Sequence, residues 1–78
     1  MVAFNIKLSS INDVKALVNA ATDISCEIDL ISGRYVINAK SLIGIFSIDL
    51  TKPITVEVHG SEAEAEQFKN FLGDCIID

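Results

Sequence analysis

The residues able to do chemistry are few, and their spacing narrows what they could do. Cys26 and Cys75 are the only cysteines, and His59 is the only histidine. Two thiols and one imidazole so far apart in the chain cannot supply a four-ligand zinc site built of Cys and His. No metal is therefore expected. A Cys26–Cys75 disulfide is possible in principle, but the opening Met1-Val2-Ala3-Phe4-Asn5 has neither a basic start nor an apolar block. Without an export signal the expected role of both cysteines is that of small apolar core residues. The four glycines are isolated, so no glycine-rich loop can cradle a phosphate. His59 has no marked nucleophile near it in sequence, which leaves no Ser-His-Asp set. Glu62, Glu64 and Glu66 crowd the start of a helix-spaced segment. There they complement the helix dipole rather than form an acid–base pair. His59 falls on the polar phase of a strand and reads as part of a solvated sheet face. Residue chemistry alone identifies no enzyme and implies no cofactor.

The bulk properties agree with a single small soluble domain. The 78 residues suffice for one domain, taken as 1–78, and half of them are hydrophobic, which excludes intrinsic disorder. Eleven acidic against six basic residues leave a net charge of −5. Non-specific nucleic-acid binding needs clustered Lys and Arg, so nucleic acid is not an expected partner. The longest apolar runs fall far below the roughly 20 residues of a membrane span. Membrane insertion is not expected, and the expected location is the cytoplasm.

The elements that must position these residues can be read from the periodicity. Phe4, Ile6 and Leu8 alternate with Asn5 and Lys7, which predicts a strand over roughly 2–8. Val14, Leu17, Val18 and Ala21 follow at helical spacing, which predicts a helix over 11–22. Ser10 is its N-cap, and Asp13 three residues on makes a pair like a capping box. Ile24, Cys26, Ile28 and Leu30 alternate with polar residues as a second strand. Ser32-Gly33-Arg34 is a turn, and Tyr35-Val36-Ile37 returns as a third strand. Ser41 can cap a short helix of about two turns, in spite of Gly44 inside it. Thr51-Lys52-Pro53 is a turn, and Ile54, Val56 and Val58 mark a fourth strand that Gly60 breaks. Ser61 and Glu64 form a full capping box. Ala65, Phe68, Leu72, Cys75 and Ile76 then keep helical spacing to the end. The order is β-α-β-β-α-β-α. The fold class is α+β, a four-stranded antiparallel sheet covered on one face by helices.

The stretch Asn38-Ala39-Lys40-Ser41-Leu42-Ile43-Gly44-Ile45-Phe46-Ser47 resembles the regulatory-serine segment of the histidine-containing phosphocarrier proteins (HPr) of bacterial sugar phosphotransferase systems. Its Asn-x-Lys-Ser-x-x-Gly-x-x-Ser core is moderately specific. Leu17-Val18-Asn19-Ala20-Ala21 is similar to the family's first helix. Ser32-Gly33 matches its hairpin, and Ile54 to Gly60 with the helix start Ser61 to Ala65 is similar downstream. The resemblance covers essentially the whole chain and implies the family's open-faced β-sandwich, which has the same element order.

One departure bears on function. In the family a His-Ala-Arg-Pro-Ala motif opens the first helix, and its histidine accepts the phosphate. That motif falls on Ser10-Ile11-Asn12-Asp13-Val14, with Ser10 at the histidine position, Asn12 at the arginine and Asp13 at the proline. The preceding loop is shorter here, so the register can slip by one, but no slip recovers a histidine. Ser10 therefore reads as an N-cap, and no catalytic residue is expected. Ser41 does match the regulatory serine. A phosphate on it would lie at a helix N-terminus, where its charge is tolerated. By resemblance, Leu42, Ile43, Phe46 and Ser47 are the partner-binding positions, with Ile45 and at least one neighbour turned inward. The expected function is a non-enzymatic, HPr-like regulatory or docking role that is not competent as a phosphocarrier. The expected partner is a protein: a transcriptional regulator, a serine kinase or a transport component. The chain itself is expected to be a monomer or weak homodimer. A phosphocarrier with an unrecognised acceptor and a self-associating structural remnant stay open as alternatives.

Overall fold

The computed structural model describes residues 1–77. Asp78, the last residue of the expected domain 1–78, lies outside the described residues. The elements are β1 (Val2–Ile6), α1 (Ile11–Thr22), β2 (Glu27–Ser32), β3 (Tyr35–Asn38), α2 (Leu42–Phe46), β4 (Ile54–His59), α3 (Glu62–Leu72) and a 3-10 turn (Gly73–Cys75). The strands form one antiparallel sheet in the order β1-β4-β2-β3. Period-two alternation sends Phe4, Ile6, Ile28, Leu30, Ile54, Val56 and Val58 into the core. Val14, Leu17, Ala20 and Ala21 of α1, Ile45 of α2, and Ala65, Phe68 and Leu72 of α3 complete it. The fold is the expected α+β sheet with helices on one face. Among the described residues, no helix is long and apolar enough to cross a membrane.

Four boundaries differ from the periodicity. The second strand begins at Glu27 rather than Ile24. The N–H groups of Asp23 and Ile24 still bond to helix carbonyls at 3.2–3.3 Å, so residues 23–24 finish α1 and cannot enter a ladder. Ile24 is buried as part of that helix end. The second helix is five residues, a little over one turn rather than two. Ser47 stops it, with its N–H and Oγ both bonding to the Gly44 carbonyl at 3.1 and 2.6 Å. The last helix stops at Leu72, where Gly73 turns the chain at φ 53. Cys75 and Ile76 pack on the core as expected of apolar residues, but by folding back along β1. Lys7 N–H bonds to the Cys75 carbonyl at 2.8 Å, Ile77 N–H bonds to the Asn5 carbonyl at 3.0 Å, and Ile6 pairs with Ile76. The first strand ends at Ile6 rather than Leu8, although Leu8 is buried.

The caps show why these elements start where they do. Ser61 Oγ accepts the Glu64 N–H at 3.1 Å while the Glu64 carboxylate accepts the Ser61 N–H at 2.9 Å. Ser25 Oγ donates to the same carboxylate at 3.2 Å. These bonds, the Ser61 N–H foremost, hold the Glu64 carboxyl below its usual pKa. A lowered folded-state pKa stabilises the fold above the ordinary carboxylate range, and that stability is lost as pH falls through the lowered value. Wild-type protein is therefore expected to lose more urea resistance than Glu64→Gln between about pH 6 and about pH 3. Asp13 and Asp49 are lowered as well, but they are common to both proteins and cancel in the comparison. Equal losses in the two proteins would show that the box carboxylate adds nothing.

Candidate functional site

Two helix starts carry the candidate residues. At the first, Ser10 caps α1, its Oγ accepting the Asp13 N–H at 3.2 Å. The reciprocal half of the expected box is shifted by one residue. The Asp13 carboxylate reaches past Ser10 to the Ser9 N–H at 2.9 Å and the Ser9 hydroxyl at 2.8 Å. These bonds, led by the Ser9 N–H, hold the Asp13 carboxyl below its usual pKa, so the helix N-terminus carries its own anion at neutral pH. Ser10 and Asn12 are both exposed. Ser10 borders an open cleft of about 420 Å³ lined by Lys7, Leu8, Ser9, Ile11, Leu50 and Thr51. The chain's one arginine, Arg34, is instead in the β2–β3 hairpin, beside Gly33 at φ 58.

At the second helix start, nearly every residue of the Asn-x-Lys-Ser-x-x-Gly-x-x-Ser pattern has a backbone task. Asn38 Oδ1 accepts the Lys40 N–H at 2.8 Å and turns the chain out of β3. Ser41 Oγ accepts the Gly44 N–H at 3.2 Å as the N-cap. A Cβ at Gly44 would come within 2.8 Å of Ile37 Cγ2 and 2.9 Å of Ser41 Oγ, so glycine lets α2 sit close on β3. Ser47 is the C-cap. Within the helix Ile45 is fully buried, whereas Leu42, Ile43 and Phe46 are 38%, 85% and 45% exposed. The buried neighbours of Ile45 are Ala39 and Ile48, and none of the four expected docking residues, Leu42, Ile43, Phe46 and Ser47, is buried. Ser41 and Ser47 are exposed as well.

The remaining reactive groups stand apart from both helix starts. Cys26 and Cys75 are half-buried free thiols packed against the core. Burial pushes both thiol pKa values up, aided by Glu64 at Cys26 and by Asp13 and Asp74 at Cys75. Each therefore stays protonated and weakly nucleophilic. His59 lies on the uncovered face of the sheet, its Nε2 3.0 Å from Asp29 Oδ2 and 3.8 Å from Glu57 Oε1. Alternation placed all three on polar phases. It gave no register between β2 and β4, so their grouping was not readable from the sequence.

A four-stranded antiparallel sheet with three helices on one face, the second of them a short serine-capped helix after β3, defines the open-faced β-sandwich class. Solved structures share this architecture, among them two that are each 18% identical to the chain. One is HPr-C-His from Thermoanaerobacter tengcongensis, with a TM-score of 0.73 over 95% of this chain and 98% of that one. The other is the Mycoplasma histidine-containing phosphocarrier protein, with a TM-score of 0.76 over 99% and 100%. The family described as "PTS HPr component phosphorylation site" matches residues 12–76. The chain belongs to the HPr family of the phosphotransferase system, a family of phosphocarriers rather than catalysts. The match begins at Asn12, two residues past Ser10. No curated protein matches the sequence.

Proposed function

We propose that this chain is an HPr-family protein that has given up phosphocarrying and works by docking a protein partner through α2, with Ser41 as its switch. The observation that carries the reading is the exposure of Leu42, Ile43 and Phe46 directly after an exposed Ser41. Large apolar side chains presented together on a short helix suit a partner-binding patch. A phosphate on Ser41 would set about two negative charges at the edge of that patch, so modification would change which partners dock. The Ser41 hydroxyl already accepts the Gly44 N–H, and phosphate oxygens can accept it in its place. Ser10 offers no imidazole, and Asp13 repels a second anion at the other helix start. The partner would be a transcriptional regulator, a serine kinase or a transport component in the cytoplasm. The chain itself would be a monomer or weak homodimer.

Treatment with an HPr-type serine kinase and ATP is expected to add one phosphate, mapped to Ser41 by mass spectrometry, with the melting temperature little changed. Affinity capture should then yield a partner that wild-type protein retains and Leu42→Ser/Phe46→Ser releases. Modification at another residue would sink the switch. A partner held equally by the double variant would sink the docking face.

A further inference from the structure

The uncovered face of the sheet carries a second feature, independent of the docking reading. Asp29 on β2 and Glu57 on β4 are direct cross-strand partners, and His59 lies two residues along from Glu57 on the same face. Directly opposed like charges destabilise a sheet, and here both carboxylates are largely shielded, at 30% and 28% side-chain exposure. The imidazole lies against the pair. One ligand atom from each of the three residues falls within 4.8 Å of the others. Among the described residues they are the one such group of three.

We propose that Asp29, Glu57 and His59 form a binding site for Zn²⁺. Zinc takes imidazole nitrogen and carboxylate oxygen at about 2.0–2.2 Å, which in a tetrahedron sets the donors about 3.4 Å apart. The Nε2 separations of 3.0 and 3.8 Å bracket that spacing. Paired strands fix all three backbones, so only side-chain rotations are needed to close on an ion. With the ion bound, the donors would be two carboxylate oxygens and the imidazole Nε2, the ring's proton then lying on Nδ1. Their summed charge of −2 balances the ion and removes the Asp29–Glu57 repulsion. His59 is 38% exposed, which leaves a fourth coordination position open to water. Neighbouring Glu27, opposite His59 in the ladder, accepts a bond from Asn38 Nδ2 at 3.3 Å and is already engaged with β3. Hard cations such as Mg²⁺ prefer all-oxygen shells and keep their waters, so the imidazole selects against them.

Because His59 is the only histidine, its ring resonances report the site in the unmodified protein. Titration with ZnCl₂ at neutral pH is expected to shift both ring nitrogens and saturate at one equivalent, while MgCl₂ leaves them in place. By calorimetry, His59→Ala and Asp29→Asn should each weaken Zn²⁺ binding on the order of tenfold or more. Cys26→Ser/Cys75→Ser should bind as wild type. Ring signals unmoved by excess Zn²⁺ would overturn the proposal. So would undiminished affinity in Asp29→Asn, or binding lost with the two thiols instead.

Discussion

Incubated with phosphoenolpyruvate and the first enzyme of a phosphotransferase system, this protein is expected to acquire no transferable, acid-labile phosphate. The chemistry decides the outcome. A phosphoryl group on an imidazole nitrogen has high transfer potential and can be handed on, whereas a serine phosphate is an ordinary ester and a poor donor. The residue at the N-terminus of α1 is Ser10, and its hydroxyl is occupied as the cap. Asp13 has already placed a carboxylate on the Ser9 N–H and hydroxyl. Labelling is read with radioactive phosphoenolpyruvate and an acid wash, beside a histidine-bearing HPr as the positive control. Acid-labile label on His59, or anywhere else in the chain, would overturn the non-carrier reading.

The same helix start predicts what restoration requires. Ser10→His/Asn12→Arg/Asp13→Pro supplies the nucleophile, a cation to share the phosphate charge and the family's helix opening. It also removes the carboxylate that now holds Ser9. Proline at residue 13 forfeits an N–H whose one bond is to Ser10 Oγ, a bond that Ser10→His has already removed. Early-turn N–H groups have no intrahelical partner in any case. Losing the cap costs about 1 kcal/mol, which the domain should survive. Partial labelling is the expected gain. The short loop before residue 10 sets where the imidazole sits, and displacement by about 1 Å can cost on the order of 100-fold in rate. A folded triple variant that takes no label would show that the docking surface for the first enzyme has diverged as well.

How far the sequence foretold this depends on the range over which each feature is determined. The strand and helix cores were legible because alternation and 3.6-residue spacing are local patterns. Phe4, Ile6, Val14, Leu17, Val56 and Phe68 all point where periodicity put them. Ser10, Ser41 and Ser61 cap the helices they were expected to cap. Boundaries set by distant contacts were not legible. Cys75 and Ile76 continue a helical spacing, yet Gly73 and the pairing of Ile76 with Ile6 put them beside β1. The carboxylate of Asp13 turned to Ser9 rather than Ser10, a choice between two nearby donors that spacing cannot make. The Asp29–Glu57–His59 cluster depends on strand register, which two separate alternating stretches leave open. The motif at α2 was recognised as a pattern, but the reason for Gly44 emerged only with Ile37 Cγ2 beside it.

The second large effect expected is on stability, and it separates the core from the docking face. Phe68 is fully buried, and its ring meets that of Phe4 at a centroid distance of 6.4 Å and an interplanar angle of 54°. Phe4 also carries the Lys69 ammonium 5.1 Å from its ring centroid, so this aromatic pair ties α3 to β1. Truncation of a buried Phe to Ala costs roughly 3–5 kcal/mol, because lost transfer energy and the remaining cavity add. A domain of this size holds only about 0.05–0.15 kcal/mol per residue in total. Phe68→Ala should therefore bring the fold close to its limit, with a fall in melting temperature on the order of 20 °C. At the other extreme, Ile43 is 85% exposed, and Ile43→Ser should stay within about 0.5 kcal/mol of wild type. Leu42→Ser/Phe46→Ser should fall between the two, since each side chain is partly covered, at less than half the Phe68→Ala loss. Thermal melts followed by circular dichroism give all three values. If the double variant melted as low as Phe68→Ala, Leu42 and Phe46 would belong to the core, and no apolar face would remain at α2 for a partner to bind.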